Sequence, residues 1–164
     1  VLVVPQDKDD CRQSVIHPIS YALTPAFKGL ADLVRRDRDD SSEIFWQTAL
    51  KREIDHLAGL TAVDGATIIT DEYELLAFGA KTGRSNSSEH IQQISYTEPI
   101  NNAEALVVHP AKIGGTRHLS AAQFVFDQRD ALALVASQDG HFTVFSWSKS
   151  LKMVQAQRID ALLL

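Results

Sequence analysis

Cysteine is nearly absent from this chain, which contains Cys11 alone among its 164 residues. A single thiol excludes an intrachain disulfide and a metal knuckle built from cysteines. Because chains without disulfides suit a reducing compartment, we expect a cytoplasmic location. Long hydrophobic runs are absent as well. None approaches the roughly 18 apolar residues that a membrane-spanning helix requires, so we expect no membrane span in this segment.

Positive charge is also in short supply. The chain carries 16 Lys and Arg residues against 21 Asp and Glu residues, a net charge of −5. Since broad nucleic-acid binding needs a basic surplus to neutralise phosphates, we expect no nucleic-acid partner. The length and the 45% hydrophobic content are those of one globular domain that can bury its own core. Because the sequence starts at Val1 without a methionine, we expect it to be part of a longer protein.

Several familiar catalytic signatures are missing. There is no Gly-x-Ser-x-Gly nucleophile elbow and no Walker A phosphate loop. Five of the six histidines show no spacing typical of metal ligands, and we interpret them as surface or capping residues. They are His17, His56, His90, His109 and His141. These absences exclude the commonest hydrolase and P-loop interpretations and leave two short motifs to carry the chemistry.

Alternating helical and strand patterns predict an α/β fold with a single domain and a mixed central β-sheet flanked by helices. Thr24-Pro25 predicts a helix start, because threonine caps helices well and proline favours the first helical position. A second helix is predicted from Glu43 to about Leu57, with Gly59 as its stop. A third is predicted over Gly115–Gln128, with Thr116 as a good N-cap and Leu119 on its buried side. Strands are predicted at residues 1–4, 14–19, 66–70, 75–79, 105–109, 130–137 and 141–147, with 66–70 and 75–79 forming a hairpin.

Residues 81–93 are polar and rich in serine, glycine and asparagine, so they are predicted to form a loop. Loops of this kind carry function more often than the elements that they connect. We interpret this segment as a mobile lid or a variable insertion. The tail from residue 148 has no clear periodicity, and both a strand and a helix stay open for it.

Two short motifs combine residues that suit a nucleotide. Asp64-Gly65-Ala66 opens a β-branched apolar run, so it places a carboxylate, a ligand that suits a metal ion, at the start of a strand. Gly115-Thr116-Arg117-His118 follows Gly114 and opens a helix. Its glycines allow close approach of a ligand, its arginine can bind phosphate in a fork, and a helix start attracts anions. Each motif alone is more typical of an ordinary turn or helix start, but together they predict a nucleotide site.

The order of elements around the motifs strengthens this prediction. A helix, Asp64-Gly65-Ala66, a hairpin, a long loop, Gly115-Thr116-Arg117-His118, a helix and a strand pair turning at Ser137 and Gly140 follow one another within residues 45–147. This arrangement resembles the diadenylate cyclase (DAC) domain family, which makes cyclic di-AMP from two ATP molecules in bacterial-type signalling. In that family an Asp-Gly-Ala motif begins a strand and a Gly-Thr-Arg-His-Arg motif begins a helix.

The resemblance implies a reaction and a set of site residues. Asp64 would be catalytic: it would hold a divalent metal, Mg²⁺ or Mn²⁺, while the 3′-hydroxyl of each ATP attacks the α-phosphate of the other and pyrophosphate leaves. The implied nucleotide- and phosphate-binding residues are Gly65, Ala66, Gly115, Thr116, Arg117, His118 and Ser137. Asp139 is a further candidate metal ligand. Because two sites must meet for this reaction, the resemblance also implies a face-to-face homodimer.

Two positions depart from the family pattern. Leu119 stands where the family has a second arginine, which removes an always-charged phosphate donor. Gln138 stands where an acidic metal ligand is frequent, and a neutral amide binds a hard cation more weakly. Losing one transition-state donor costs on the order of 10²–10³ in rate. We therefore favour a signalling or sensor domain that binds ATP or a cyclic dinucleotide and has weakened or absent cyclase activity.

Two alternatives stay open. One is an active diadenylate cyclase, a metal-dependent nucleotidyltransferase, and the other is a protein-interaction domain that retains only the fold. In either case residues 1–44 are predicted to be an N-terminal extension with one helix, packed on the core. Residues 45–147 are predicted to form the DAC-like nucleotide-binding core. Residues 148–164 are predicted to be a strand or helix that leads out of the domain.

Overall fold

The computed structural model describes residues 1–6, 14–16, 19, 21–35, 43–98, 104–137 and 140–159. In these residues the helices are α1 (Gly29–Arg35), α2 (Glu43–Leu60) and α3 (Thr116–Asp127), with a short 3-10 turn at Pro110–Lys112. The strands are β1 (Leu2–Val4), β2 (Tyr21–Phe27), β3 (Ala66–Thr70), β4 (Leu75–Ala80), β5 (Ile94–Thr97), β6 (Leu106–Val108), β7 (Leu132–Ala136), β8 (Phe142–Ser148) and β9 (Met153–Arg158). The predicted α/β class is confirmed.

All strands of the described residues belong to one mixed sheet, in the order β2-β4-β3-β1-β7-β8-β9-β5-β6. The first strand of the chain lies in its middle, since β1 pairs in parallel with β3 and antiparallel with β7. The last strand is also internal, because β9 pairs antiparallel with β8 and in parallel with β5. Strands from both ends of the described chain therefore lie inside the sheet.

The hydrophobic core lies where α3 packs on β7, β8 and β9. Phe124 of α3 and Phe145 of β8 are fully buried there, together with Val125 and Val154. Burying one such side chain stabilises the fold by about 1.5–3 kcal/mol. Leu119, which the sequence pattern placed on the buried side, is 36% exposed, so that part of the prediction is wrong. The buried face of the first turns of α3 is formed by His118, Ala121 and Ala122, and Leu119 lies to one side of that face.

The predicted helix start at Thr24-Pro25 is wrong. Both residues lie in β2, which pairs with β4 at one end of the sheet, and α1 begins only at Gly29. The residue before a proline disfavours the helical conformation, and an edge strand tolerates the missing N–H group. Stacking of the Tyr21 and Phe78 rings, with centroids 4.6 Å apart, ties β2 to its neighbour. Here sheet pairing outweighs a local capping signal.

The predicted stop at Gly59 is also wrong, because α2 continues through Gly59 to Leu60. Glycine inside a helix costs only about 1 kcal/mol relative to alanine, which the continuing helical hydrogen bonds can offset. The helix then ends in a turn where the Val63 N–H group donates to the Leu60 carbonyl oxygen. None of the helices in the described ranges is both long and apolar enough to cross a membrane.

The predicted β3–β4 hairpin is confirmed, and the undecided tail contains a strand, β9. In the predicted strand at residues 14–19, Val15 forms only an isolated bridge with Thr82, and residues 17 and 18 lie outside the described residues. Strand β5 was not predicted, because four residues in a polar stretch give a weak alternating pattern. Gln138 and Asp139 also lie outside the described residues.

The polar segment at residues 81–93 contains no helix or strand, as predicted, but α3 holds it in place. The Gln123 side chain accepts a hydrogen bond from the buried Ile91 N–H group at 2.9 Å and donates to the Glu89 carbonyl oxygen at 3.0 Å. Asp127 accepts from the Ser85 N–H group at 2.8 Å. These hydrogen bonds hold residues 85–91 against α3, which favours a fixed segment over a mobile lid. We call residues 85–91 the covering segment, because they lie on α3.

Candidate nucleotide site

The strand directions bring the two motifs to one edge of the sheet. Strands β5, β7 and β9 run in parallel, and β3 runs opposite to them because it is parallel to β1, which pairs antiparallel with β7. The start of β3 therefore lies at the edge where β4, β5, β7 and β9 end. We call this the motif edge. Because α3 precedes β7 and packs on it, the beginning of α3 lies at the same edge.

Asp64 stands at the motif edge with its carboxylate 86% exposed. Its Oδ2 atom accepts a hydrogen bond from the Lys81 Nζ atom at 2.5 Å. This hydrogen bond and the charge of Lys81 lower the pKa of Asp64, and the charge of Arg117 lowers it further. Because the start of β3 and the beginning of α3 both lie at the motif edge, the fold brings the two motifs to the same end of the sheet.

Gly65 allows the motif to lie directly against the neighbouring strand. Its φ angle is +122°, a conformation that residues with a Cβ atom rarely adopt. A Cβ atom there would lie 2.5 Å from the carbonyl carbon of Gly79. Ala66 is half-buried and opens β3, where it pairs with Ala80. Gly65 and Ala66 therefore position the Asp64 carboxylate by backbone contact.

Helix α3 begins with exposed polar groups. Gly115 is the N-cap, with an extended backbone, and Thr116 is the first helical residue. The prediction that Thr116 caps the helix is therefore wrong: glycine takes that position, and no side chain caps the helix start. Thr116 and Arg117 are both exposed, so a hydroxyl and a guanidinium face solvent beside the positive end of the helix dipole.

His118 points away from these exposed groups. It is only 4% exposed, and its ring meets the Phe145 ring edge-on, with centroids 6.0 Å apart. A Cβ atom on Gly114 would lie 2.2 Å from the His118 Nδ1 atom, so the glycine makes room for the ring. Burial lowers the pKa of His118, and the nearby His141 lowers it further. The imidazole therefore anchors the first turn of α3 on β8.

Ser137 takes part in the turn between β7 and β8. Its hydroxyl accepts a hydrogen bond from the His141 N–H group at 3.2 Å, and its own N–H group donates to the His141 carbonyl oxygen at 2.8 Å. The N–H group of Gly140, which has a φ of +80°, donates to the Ser137 carbonyl oxygen at 3.2 Å. Ser137 therefore stabilises the turn between β7 and β8 at the motif edge. The candidate metal ligand Asp139 lies outside the described residues.

A polar cluster at the same edge was not predicted from the sequence. Arg158 at the end of β9 bonds to Glu98 at 3.1 Å, and Glu98 also accepts from the Tyr96 hydroxyl at 2.7 Å. Arg158 further contacts the His141 ring, at 3.1 Å from its Nε2 atom. Burial and then Glu98 raise the pKa of Tyr96. Glu98 and Arg158 meet only through the parallel pairing of β5 with β9, so no local sequence signal could have indicated their contact.

The described residues offer a poor fit to a divalent metal. Asp64 is the one acidic residue of the predicted site that lies among them, and its carboxylate is already paired with an ammonium group. Across the described ranges, no group of three or more His, Cys, Asp or Glu side chains is arranged to hold a metal ion. No protein-family model, curated protein or solved structure matches the chain.

Proposed function

We propose that this domain binds ATP or a cyclic dinucleotide at the motif edge and acts as a nucleotide sensor with weakened or absent cyclase activity. The observation that carries this proposal is that the Asp64 motif at the start of β3 and the exposed Thr116 and Arg117 at the beginning of α3 lie at the same end of the sheet. A site assembled from distant parts of the chain is more specific than either motif alone. The resemblance of both motifs to the DAC family supplies the class of ligand.

The exposed groups of the site suit a phosphate chain. Arg117 presents a planar guanidinium, which binds phosphate oxygens in pairs, and Thr116 adds a hydroxyl donor. Both stand on the first turn of α3, where the helix dipole favours an anion. Gly115 has open space around its Cα atom, so a ligand can approach the backbone there. These groups bind charge at the helix start without a Walker A loop.

Weakened catalysis follows from the residue beside these phosphate-binding groups, Leu119. Leu119 is partly exposed at the position of the second family arginine, so an apolar side chain replaces a phosphate donor. The loss of one such donor costs on the order of 10²–10³ in rate but leaves binding through Arg117. Full cyclase activity would also require a divalent metal and a face-to-face homodimer, both of which belong to the active-enzyme alternative.

Calorimetry and product analysis test the proposal together. We expect ATP or cyclic di-AMP to bind the purified domain, and Arg117→Ala to weaken that binding at least tenfold. Lys51→Ala, which removes an exposed cation on α2, is the matched control and should leave affinity unchanged. Mass spectrometry after incubation with ATP and Mn²⁺ or Mg²⁺ should find little cyclic di-AMP. Abundant product that disappears in Asp64→Asn would instead establish an active cyclase.

One observation favours the protein-interaction alternative. Helix α2 exposes Ile44 and Phe45, each at 79%, and Ile54 at 48%. Ile44 and Phe45 are neighbours at the beginning of this helix, and a contiguous exposed apolar patch is typical of a contact surface. If neither nucleotide binds, and if Arg117→Ala leaves the affinity for a protein partner unchanged, this alternative gains over the nucleotide sensor.

A further inference from the structure

The Asp64–Lys81 ion pair lies just beyond the paired ends of β3 and β4. Ala66 pairs with Ala80 in the antiparallel register, so the residues just outside this pair, 65 and 81, face each other. The close approach of Gly65 to the Gly79 backbone fixes this register. The strand pairing therefore brings the backbone of residues 64 and 65 beside residue 81, and the two exposed side chains meet there, with 2.5 Å between the Lys81 Nζ and Asp64 Oδ2 atoms.

The pair remains accessible to a ligand. The Lys81 side chain is 56% exposed while its ammonium group contacts the carboxylate. An ammonium group carries three donors, so one bond to Asp64 leaves others to point at a phosphate. Lysine acts as a point charge toward phosphate, in the way that it does in other phosphate sites.

The charges at this place favour an anion over a cation. Lys81 balances the charge of Asp64 in their ion pair, and the exposed Arg117 on the first turn of α3 adds a positive charge at the motif edge. A magnesium ion is normally held by one or two carboxylates together with substrate phosphates. At this site an incoming cation would have to displace Lys81 from the Asp64 carboxylate and would be repelled by Arg117. A phosphate chain would meet a net positive charge with no displacement.

We propose that Lys81 takes the place of a divalent metal at the motif edge, so that the domain binds its nucleotide as the metal-free phosphate anion. This inference rests on the proposed nucleotide site. In this arrangement Lys81 contacts the phosphate chain, and Asp64 is a positioning residue that holds the ammonium group in place. The ligand class is therefore a nucleotide phosphate without bound Mg²⁺, and Arg117 binds the same phosphate chain from the helix side.

Calorimetry with ATP and with cyclic di-AMP, each in EDTA and again in excess Mg²⁺, tests this directly. We expect binding in EDTA to be at least as tight as in Mg²⁺. Lys81→Met should weaken binding in EDTA about tenfold or more, whereas Lys51→Met on α2 should leave it unchanged. Asp64→Asn gives the sharpest contrast. If Asp64 held a metal ion, removing its carboxylate would abolish metal-dependent binding. If Asp64 only positions Lys81, its negative charge also repels phosphate, so the substitution should lower nucleotide affinity at most threefold.

A failure of the metal-free site and a failure of the nucleotide site give different results. Binding that requires Mg²⁺, is abolished by Asp64→Asn and survives Lys81→Met would overturn the metal-free site and leave the nucleotide site standing. No binding of either nucleotide under both conditions would overturn the nucleotide site itself. Circular dichroism of each variant checks that a loss of binding is not a loss of fold, and Lys81→Arg, which keeps the charge, should restore part of the affinity.

Discussion

The backbone of Gly65 lies directly against that of Gly79, so close that a Cβ atom on Gly65 would stand 2.5 Å from the Gly79 carbonyl carbon. Both glycines have positive φ angles, +122° and +62°. The close approach and the positive φ angle therefore explain why position 65 is a glycine, independently of any ligand. Gly65 closes β3 onto β4 and fixes the place from which Asp64 meets Lys81.

Gly65→Ala should destabilise the domain by about 2–4 kcal/mol, because the methyl group adds a backbone clash to a strained φ angle. Urea unfolding followed by circular dichroism measures the change. Gly59→Ala is the matched control: a Cβ atom there meets nothing within 4 Å and alanine favours the helix, so stability should stay equal or rise by up to about 1 kcal/mol. Equal effects of the two substitutions would contradict the close approach at Gly65.

Gln123→Ala should cost about 1–3 kcal/mol, because it leaves the buried Ile91 N–H group without its acceptor. It should also loosen the covering segment on α3. Hydrogen exchange read by mass spectrometry should show faster exchange in residues 85–91 and little change in β7. Gln92→Ala, an exposed neighbour, should change neither quantity. Unchanged exchange at residues 85–91 in Gln123→Ala would show that the segment is held by other contacts.

The buried imidazole of His118 should make stability depend on pH. Burial lowers its pKa below the unfolded value of 6.5, so the unfolded chain binds the proton more readily. The stability contributed by neutral His118 is present above about pH 6.5 and falls as pH drops through the lowered pKa. Urea unfolding at pH 7.5 and 5.5 should show a smaller difference in His118→Gln than in the parent. His90→Gln, on an exposed residue, should reproduce the parent difference.

Leu119→Arg should restore part of the phosphate-binding pattern of the DAC family. The side chain is partly exposed, so the change should alter stability by no more than about 0.5 kcal/mol. A further guanidinium beside Arg117 should strengthen ATP binding about three- to tenfold, since each charge-assisted hydrogen bond contributes about 1 kcal/mol or more. Calorimetry measures the gain. Leu151→Arg, at an exposed turn remote in sequence, is the control, and an equal gain there would indicate a general charge effect.

Local patterns predicted the elements around the motifs well, because the β3–β4 hairpin and α3 have strong periodicity and clear boundaries. They failed at Thr24-Pro25, where pairing with β4 outweighs a capping signal. They could not predict the contact between Arg158 and Glu98, since only the parallel pairing of β5 and β9 joins those strands. Lys81 was also missed as a partner of Asp64, because a loop lysine gives no signal until the register of β3 and β4 is known.

A titration of the ¹⁵N-labelled domain with ATP and with cyclic di-AMP, followed by amide chemical shifts, tests the nucleotide site most directly. We expect the largest chemical-shift changes at Gly65, Lys81, Gly115 and Arg117, and no change in the amide chemical shifts of α2. Arg117→Ala should abolish the shifts at the same ligand concentration. Saturating nucleotide that leaves these four amides unmoved, or that shifts only residues 43–60, would contradict a nucleotide site at the motif edge.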